Sequence, residues 1–502
     1  MLKPTKRALI VLLFILSDLL SFGAEKPGQS DEKKPNVLFI MTDQLRRNSV
    51  GHMDGPVKTP AIDKLASEGY SFSQAYCNSP MCTPARAAFL TGKLNHSIKC
   101  SKGEPYYYND RQLNTNENTI AKELNNIGYK CAYIGKWHND SLKGKGYIPR
   151  GPRRMGFNDF WAGVNVGSNR TNAFYYTDDG KLIQSDGEWE PDLQTRLTID
   201  YLKENKNSEQ PFFLFLSWLP PHRTYDLPKY RQYLIDEARK QIDESDLHPN
   251  VPERLKDLAV EEYVQYHANV LGLDDDLNKI LKSLKELGLE ENTIVVFTSD
   301  HGENMISHGL KGKNQCYEEA AAIPFIIRYP EKIDTGKVPS DFINISDMAP
   351  TLIELCGGET PSSMQGKSFA PFLLGEEKSG PQNSAYIEIK HSWWDYRFDQ
   401  GPQGHRRCIV TDDWKLVLIE SKAGQGGAIP LQLYERKKDP FEMNNLASEP
   451  GCQLIINKLV QQMWQEWMLP YDDPFIHLTL SGLREEYGIE YYPKLKKEIN
   501  VK

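Results

Sequence analysis

The chain has 502 residues, of which 39% are hydrophobic and 25% charged, a balance that is ordinary for a globular protein. Its formal net charge of -8 gives no support for nucleic-acid binding, which favours a basic face, whereas a local basic pocket can still hold an anionic substrate. The eight cysteines include no Cys-x-x-Cys pair, so a zinc ribbon or a thioredoxin-like motif is not supported.

The N-terminus has the pattern of a secretory signal peptide over residues 1–24. Three basic residues precede an apolar stretch over residues 8–16, which Ser17 and Asp18 interrupt before it is long enough to span a membrane. Residues 25–34 are polar and are expected to form a flexible leader. We therefore expect an exported protein, periplasmic or secreted, with no stable membrane span after signal removal; a retained N-terminal anchor is the alternative.

Apolar strand patterns alternate with helical patterns over residues 35–376. Strands are predicted at 36–41, 129–134, 211–218, 293–298 and 324–328, and helices at 60–69, 119–127, 197–204 and 260–287. Continuous apolar strands between helices predict an α/β fold with a mostly parallel sheet covered by helices on both faces.

Polar residues follow four of the predicted strand regions. They are Asp43, Lys136, His222 and Asp300. Because sites in such folds lie at the carboxyl ends of the strands, we expect these four side chains to meet at one edge of the sheet.

The composition changes after about residue 376. Residues 375–384 are polar and contain glycine and proline, which indicates a domain boundary. Strand patterns at 385–390, 408–411 and 414–420 precede an amphipathic helix pattern at 454–467. We predict a catalytic domain over 35–376 and a smaller α+β subdomain over 385–502, with a small antiparallel sheet and a helix.

Cys82-Thr-Pro-Ala-Arg86, continued to Thr91-Gly92, is the most specific motif in the chain. It resembles the signature of type I, formylglycine-dependent sulfatases, Cys-x-Pro-x-Arg followed by Leu-Thr-Gly. The resemblance implies the alkaline-phosphatase-like fold and hydrolysis of sulfate esters. It also implies that a formylglycine-generating enzyme oxidises Cys82 to formylglycine, whose hydrated aldehyde is the nucleophile. Without the rest of the motif, Cys82 would be interpreted as a small buried hydrophobic residue, which is the usual role of an isolated cysteine.

The same resemblance implies one calcium ion. Asp43 and Gln44 end the first strand, and Asp300 and His301 follow a later one. Oxygen donors from two strand ends suit calcium. The family commonly has paired acidic residues where this chain has Asp43-Gln44, and the Gln44 amide can supply a neutral oxygen. Taken alone, each of these dipeptides is more often a structural loop cap.

Further segments match the family's positive and acid–base groups. Gly135-Lys136-Trp137-His138 resembles the family's Gly-Lys-Trp-His segment, which implies that Lys136 holds sulfate oxygens and His138 acts as base. Pro220-Pro221-His222 resembles the second histidine segment, which implies that His222 protonates the leaving alcohol. Which histidine is acid and which is base stays open.

Two more basic residues are implied by the same match. Lys313 best matches the family's sulfate-binding lysine, with Lys311 as the near competitor. Arg86 is expected to begin a helix after the Pro84 turn and to hold the modified side chain and the metal-site carboxylates. A helix N-terminus at this place adds a favourable dipole for an anion.

Aromatic and basic loop residues are candidates for contact with a sulfated small molecule or glycan. They are Arg170, His391, Trp393, Trp394, Arg397 and His405. Such side chains stack on sugar rings and bind anionic groups, although packed surface loops are an equal interpretation. The alternatives to a carbohydrate sulfatase are a phosphonate or phosphodiester hydrolase of the same superfamily and a noncatalytic protein that binds sulfated glycans.

Overall fold

The computed structural model describes residues 33–107, 111–140, 146–167, 169–390, 405–419 and 431–473. The predicted signal peptide at residues 1–24 and most of the predicted leader lie outside these ranges. Among the helices of the described ranges, none combines the length and the apolar character that a membrane crossing requires.

The strands of the described residues alternate with helices through most of the chain. From β1 to β15 the strands are Asn36–Asp43, Tyr70–Ser71, Gln74–Tyr76, Lys130–Lys136, Trp161–Val164, Phe174–Tyr176, Leu182–Gln184, Phe212–Pro221, Thr293–Ser299, Phe325–Arg328, Phe342–Asn344, Ala385–Ile389, Arg406–Val410, Trp414–Ile419 and Leu431–Glu435. From α1 to α10 the helices are Pro60–Ser67, Cys82–Thr91, Ile120–Asn126, Glu190–Asn205, Tyr233–Gln241, Lys256–Glu286, Glu318–Ala321, Met348–Leu355, Ala370–Leu373 and Gln453–Met463.

The large sheet has nine strands in the order β2-β10-β9-β1-β8-β4-β5-β6-β7. Its five central strands, from β9 to β5, are parallel to one another. The strands on either side of them pair antiparallel. The predicted α/β fold is therefore confirmed, with the parallel character confined to the centre of a mixed sheet.

Alternation of apolar side chains along the strands supplies a core on each face of this sheet. On β1, Val37, Phe39 and Met41 pack into one cluster, and Leu38 and Ile40 pack into another. Residues of α2, α3, α8 and α9 belong to the first cluster, and residues of α1, α4, α5 and α6 to the second. Each fully buried side chain of this kind contributes about 1.5–3 kcal/mol relative to exposure.

The carboxyl ends of β1, β4, β8 and β9 meet at one edge because the four strands are parallel. Gly135 allows β4 to approach β8 closely at this edge. Its φ is +110°, and a Cβ atom there would lie 2.1 Å from the carbonyl oxygen of Ser217. Only glycine fits a position with both constraints.

The C-terminal sheet has four antiparallel strands in the order β12-β13-β14-β15. One face packs against α10 through a cluster that includes Ile409 and Val460. The other face packs against the rest of the molecule through a cluster that includes Cys408 and Phe342. The sheet and helix are those predicted for the C-terminal subdomain. Contacts from Pro35 onward form one compact unit, so the proposed domain boundaries remain a prediction.

Candidate active site

Cys82 is the first residue of α2, and only 2% of its surface is exposed. Its Sγ lies 3.1 Å from Lys313 Nζ, 3.3 Å from His301 Nε2 and 3.6 Å from Asp43 Oδ1. Burial and Asp43 raise the pKa of the thiol, but Lys136 and Lys313 outweigh them and hold it well below its usual value. The side chain at position 82 therefore stands in surroundings that stabilise negative charge.

The helix that carries Cys82 begins earlier than predicted. The sequence places its start after a Pro84 turn, whereas α2 runs from Cys82 to Thr91 and includes Pro84 in its first turn. The reason is that backbone N–H groups in the first turn of a helix have no acceptor within the helix. A proline there, which lacks the N–H group, therefore removes no helical hydrogen bond. Every residue of α2 is buried.

Arg86 lies one helical turn after Cys82 and therefore on the same face of α2. Its Nε donates to Asp300 Oδ2 at 2.9 Å, and its Nη2 donates to Asp43 Oδ2 at 3.2 Å. Its Nη1 donates to Ser217 Oγ at 2.7 Å. The guanidinium thus holds two carboxylates from two strand ends, and both lower the cost of burying its charge.

Three side chains from two strand ends converge beside Cys82. The ligand atoms of Asp43, Asp300, His301 and Cys82 all lie within 4.8 Å of one another. His301 Nδ1 donates a hydrogen bond to the carbonyl oxygen of Gly302 at 2.8 Å. The other ring nitrogen, Nε2, faces the cluster and is the atom that could bind a metal ion. That Nε2 lies 3.5 Å from Asp300 Oδ1 and 3.8 Å from Asp43 Oδ1.

Gln44 joins this group from the residue after β1. Its backbone N–H donates to Asp300 Oδ1 at 3.0 Å, and its side-chain Oε1 accepts from Lys313 Nζ at 2.6 Å. Its Nε2 donates to Glu303 Oε2. The backbone of Gln44 is held at a φ of +73°, a conformation that non-glycine residues adopt mostly where the surrounding structure imposes it.

These donors fit a divalent cation. Burial and Asp43 raise the pKa of Asp300, and Asp300 raises the pKa of His301 against the opposing effect of burial. At Asp300 and His301 the surroundings therefore favour added positive charge. Burial raises the pKa of Asp43, but Lys136 and His222 outweigh burial and hold that pKa well below its usual value, so this carboxylate is ionised. Two carboxylates and an amide oxygen are ligands that Ca²⁺ prefers, and the imidazole supplies a fourth donor.

Lys136 ends β4 and donates through Nζ to Asp43 Oδ2. His138 follows two residues later, and its backbone N–H donates to the carbonyl oxygen of Asn165 at 2.6 Å. His222 follows β8 and donates through Nδ1 to the carbonyl oxygen of Arg223 at 2.6 Å. The edge of the sheet thus brings together the two histidines and Lys136, as their positions at strand ends predict.

Burial, and to a smaller extent neighbouring lysines, lower the pKa of both histidines, so both are neutral at pH 7. Burial and Lys136 lower the pKa of His138 to about 4. Burial and Lys313 lower the pKa of His222 to about 3. A neutral imidazole accepts a proton, so without a bound anion both side chains are poised as bases.

Residues 35–358 match a protein-family model described as Sulfatase. The chain belongs to the sulfatase family. Residues 306–468 of the sulfatase also match a model described as the C-terminal part of N-sulphoglucosamine sulphohydrolase. The sulfatase is therefore a sulfuric ester hydrolase with an alkaline-phosphatase-like fold, as the Cys82 motif predicts.

Two bacterial relatives and one solved structure illustrate the similarity. An ulvan-active sulfatase of Formosa agariphila is 29% identical over 86% of this chain and 80% of its own length. An endo-4-O-sulfatase of Bacteroides thetaiotaomicron is 30% identical over 90% of this chain and 96% of its own length. A solved structure from a glycosaminoglycan-metabolism locus of the same species is 27% identical, with a TM-score of 0.77 over 91% of this chain and all of that one.

The two candidate lysines of the sulfatase occupy different places. Lys313 contacts Cys82 and Gln44, whereas Lys311 pairs with Glu262 at 3.1 Å and is 40% exposed. The structure therefore puts Lys313 in the site and Lys311 outside it, which matches the order of preference from the sequence.

The predicted substrate contacts of the sulfatase are only partly described. Arg170 is buried, pairs with Glu190 at 3.0 Å, and donates to the carbonyl oxygens of His222 and Thr224. Its guanidinium donors thus bind Glu190 and backbone carbonyl groups of the segment that begins at His222. His405 lies just before β13 and is partly exposed. His391, Trp393, Trp394 and Arg397 lie outside the described residues.

Sequence reasoning missed two residues that contact the predicted site directly. Ser217 bridges Arg86 and the carbonyl oxygen of Lys136, and its signal is a lone hydroxyl within an otherwise apolar strand. Glu303 contacts Gln44, and its signal is its place two residues after His301.

Proposed function

We propose that this sulfatase hydrolyses sulfate esters of a sulfated polysaccharide, with formylglycine derived from Cys82 and one calcium ion. The observation that carries the proposal is the position of Cys82 Sγ, 3.1 Å from Lys313 Nζ and 3.3 Å from His301 Nε2 at the buried start of α2. The named activities of the two bacterial relatives, on ulvan and as an endo-4-O-sulfatase, support a polysaccharide substrate.

Formylglycine supplies a hydrated aldehyde, whose hydroxyl attacks sulfur and whose second hydroxyl later allows sulfate to leave without a second attack at sulfur. Around position 82, Lys136 and Lys313 bind the sulfate oxygens. Each lysine already contacts an oxygen acceptor of the site, Asp43 for Lys136 and Gln44 for Lys313. Fixed cations of this kind stabilise the charge that develops in the transition state.

The two histidines move protons in this proposal. His138 takes a proton at the side chain of residue 82, and its pKa of about 4 keeps it in the neutral form that can accept one. His222 gives a proton to the leaving alcohol. Because Lys313 is one cause of its low pKa, the negative charge of a sulfate ester bound to that lysine raises the pKa of His222 toward the range of a useful acid.

The donor set of Asp43, Gln44, Asp300 and His301 would hold the calcium ion. When bound, the ion supplies a positive charge that neutralises the sulfate group and the side chain at position 82. Arg86 would keep the two carboxylates in place through its contacts of 2.9 Å with Asp300 and 3.2 Å with Asp43.

Modification of Cys82 would precede folding. Cys82, Pro84 and Arg86 are all buried in α2, so a modifying enzyme that reads this motif needs the unfolded chain. Export of the enzyme, periplasmic or secreted, agrees with the signal-peptide pattern and with a polymer substrate outside the cell.

The test combines mass spectrometry and substrate comparison. The tryptic peptide that ends at Arg86, from protein made in its native host, should have the mass of the aldehyde form. The same protein should release sulfate from ulvan or from a sulfated glycosaminoglycan. An intact thiol with tight glycan binding would favour a noncatalytic protein, and faster cleavage of the phosphate ester than of the sulfate ester of one alcohol would favour a phosphoester hydrolase.

A further inference from the structure

Glu303 is fully buried three residues after Asp300, and both of its carboxylate oxygens accept hydrogen bonds. Oε2 accepts from the side-chain Nε2 of Gln44. Oε1 accepts from the backbone N–H of Met305 at 3.2 Å and from that of Gly312. One carboxylate therefore joins the end of β1 to the loop that leads to Lys313.

The contact with Gln44 decides which end of an amide faces the cation site. A glutamine side chain presents an oxygen on one side and an NH₂ group on the other, and only the oxygen can bind a cation. An ionised carboxylate accepts hydrogen bonds and donates none, so Glu303 takes the NH₂ group. The Gln44 oxygen is then left on the opposite side, where Lys313 Nζ donates to it at 2.6 Å.

We propose that Glu303 is a positioning residue for the metal site, which orients the Gln44 amide so that its oxygen serves as a ligand. The inference rests on the calcium site of the proposed function. Residues that hold a ligand from behind in this way typically change metal affinity by about 10- to 100-fold when they are removed.

Glu303→Gln reverses the orientation without a change of volume. The backbone N–H groups of Met305 and Gly312 need an acceptor, so the introduced amide keeps its oxygen toward them and turns its NH₂ group toward Gln44. Two NH₂ groups cannot satisfy each other. Either the Gln44 amide rotates and turns its NH₂ group toward Lys313 and the cation, or its NH₂ group stays opposed to that of the introduced residue. Both arrangements weaken the Gln44 oxygen as a ligand.

The experiment is calorimetric titration of calcium into the metal-depleted full-length protein, with circular dichroism as the check on folding. Glu303→Gln should raise the Kd for calcium by about tenfold or more. Glu262→Gln is the matched control: Glu262 pairs with Arg223 and with Lys311 at 3.1 Å, close to the same loop, and has no bond to Gln44. Its Kd should stay within about threefold of the wild-type value.

The reciprocal pair Gln44→Glu with Glu303→Gln restores the contact with the donor and acceptor exchanged, at unchanged total charge. Its Kd should return to the wild-type value or fall below it. An unchanged Kd in Glu303→Gln, or a loss that the pair does not recover, overturns the proposal. If Glu303→Gln alone fails to fold, the folding and the affinity of the pair decide the same question.

Calcium binding and sulfate release by the wild-type protein distinguish an error in the proposed function from an error in the role of Glu303. A wild-type protein that binds calcium but releases no sulfate would contradict the sulfatase mechanism and leave the role of Glu303 in place. A wild-type protein that binds no calcium would overturn the role of Glu303 together with the metal assignment.

Discussion

Lys313 Nζ lies 3.1 Å from Cys82 Sγ, although 231 residues separate the two in the chain. Cys82 begins α2, and Lys313 lies on the loop after β9. The contact exists because α2 begins beside the end of β1, where Cys82 Sγ lies 3.6 Å from Asp43 Oδ1, and β9, the strand before Lys313, pairs in parallel with β1. The contact brings the positive charge of Lys313 next to Cys82, the residue that the family motif identifies as the nucleophile precursor.

Lys313→Ala should lower kcat/KM for a sulfated substrate by about 100- to 1000-fold, because it removes one fixed charge from the developing transition state. Steady-state sulfate release measures the effect. Lys311→Ala is the matched control on the same loop, since its ammonium pairs with Glu262 and is 40% exposed. Equal losses in the two variants would contradict the assignment of Lys313.

Cys82→Ala should abolish turnover, with a loss of at least about a thousandfold, because it removes only the nucleophile precursor. The apparent melting temperature should change by a few degrees at most, since one buried sulfur atom is lost from an otherwise intact helix. Sulfate release and thermal unfolding monitored by circular dichroism measure the two effects. Activity close to the wild-type level would rule out the mechanism.

Removal of divalent cations with a chelator should inactivate the enzyme, and calcium should restore it. The physical reason is that Asp43 and Asp300 lie buried at 0% exposure beside each other and need a cation between them and the substrate anion. Activity recovered by manganese but not by calcium would point to the imidazole of His301 as the ligand that selects the metal. Activity that the chelator leaves intact would contradict the metal assignment.

Arg170→Lys should lower kcat by about tenfold with little change in KM, because Arg170 donates to backbone carbonyl groups of the segment that carries His222. Steady-state kinetics separate the two parameters. A raised KM with unchanged kcat would instead support the substrate contact predicted from the sequence. Glu190→Gln should act in the same direction, since Glu190 pairs with Arg170 at 3.0 Å.

His96 should stabilise the fold more at low pH than at high pH. Burial lowers its pKa, but Glu388, 3.0 Å from His96 Nδ1, outweighs burial and raises it above the usual 6.5. A raised pKa in the folded state gives stability that is present below pH 6.5 and is lost as pH rises through the folded pKa. The gap in melting temperature between wild type and His96→Gln should therefore shrink from about pH 6 to about pH 9.

His267 offers a control of opposite sign. Burial lowers its pKa to about 3, so the folded state loses stability as pH falls through the unfolded value of 6.5. The gap between wild type and His267→Gln should grow as pH rises across that value. Parallel slopes for the two histidines would contradict the explanation.

The α/β fold, the family and most of the residues at the edge of the sheet can be predicted from the amino-acid sequence alone. These features depend on local signals: the apolar runs of the central strands, the glycines that end helices, and the spacing within the Cys82 motif. The short strands β5, β6 and β7 were harder to predict, because they have only three or four residues each and too little pattern to recognise.

The partners of those residues, in contrast, follow from the three-dimensional fold. Lys313 contacts Cys82, and Lys311 pairs with Glu262. Arg170 donates to the carbonyl oxygen of His222, and the Gln44 amide donates to Glu303, which is 259 residues away. Each outcome depends on the packing of segments that are distant in the chain. Local periodicity indicates that a side chain lies at a strand end. Its hydrogen-bond partner is the group that the order of the strands brings within about 3 Å, and that order is not a local property of the sequence.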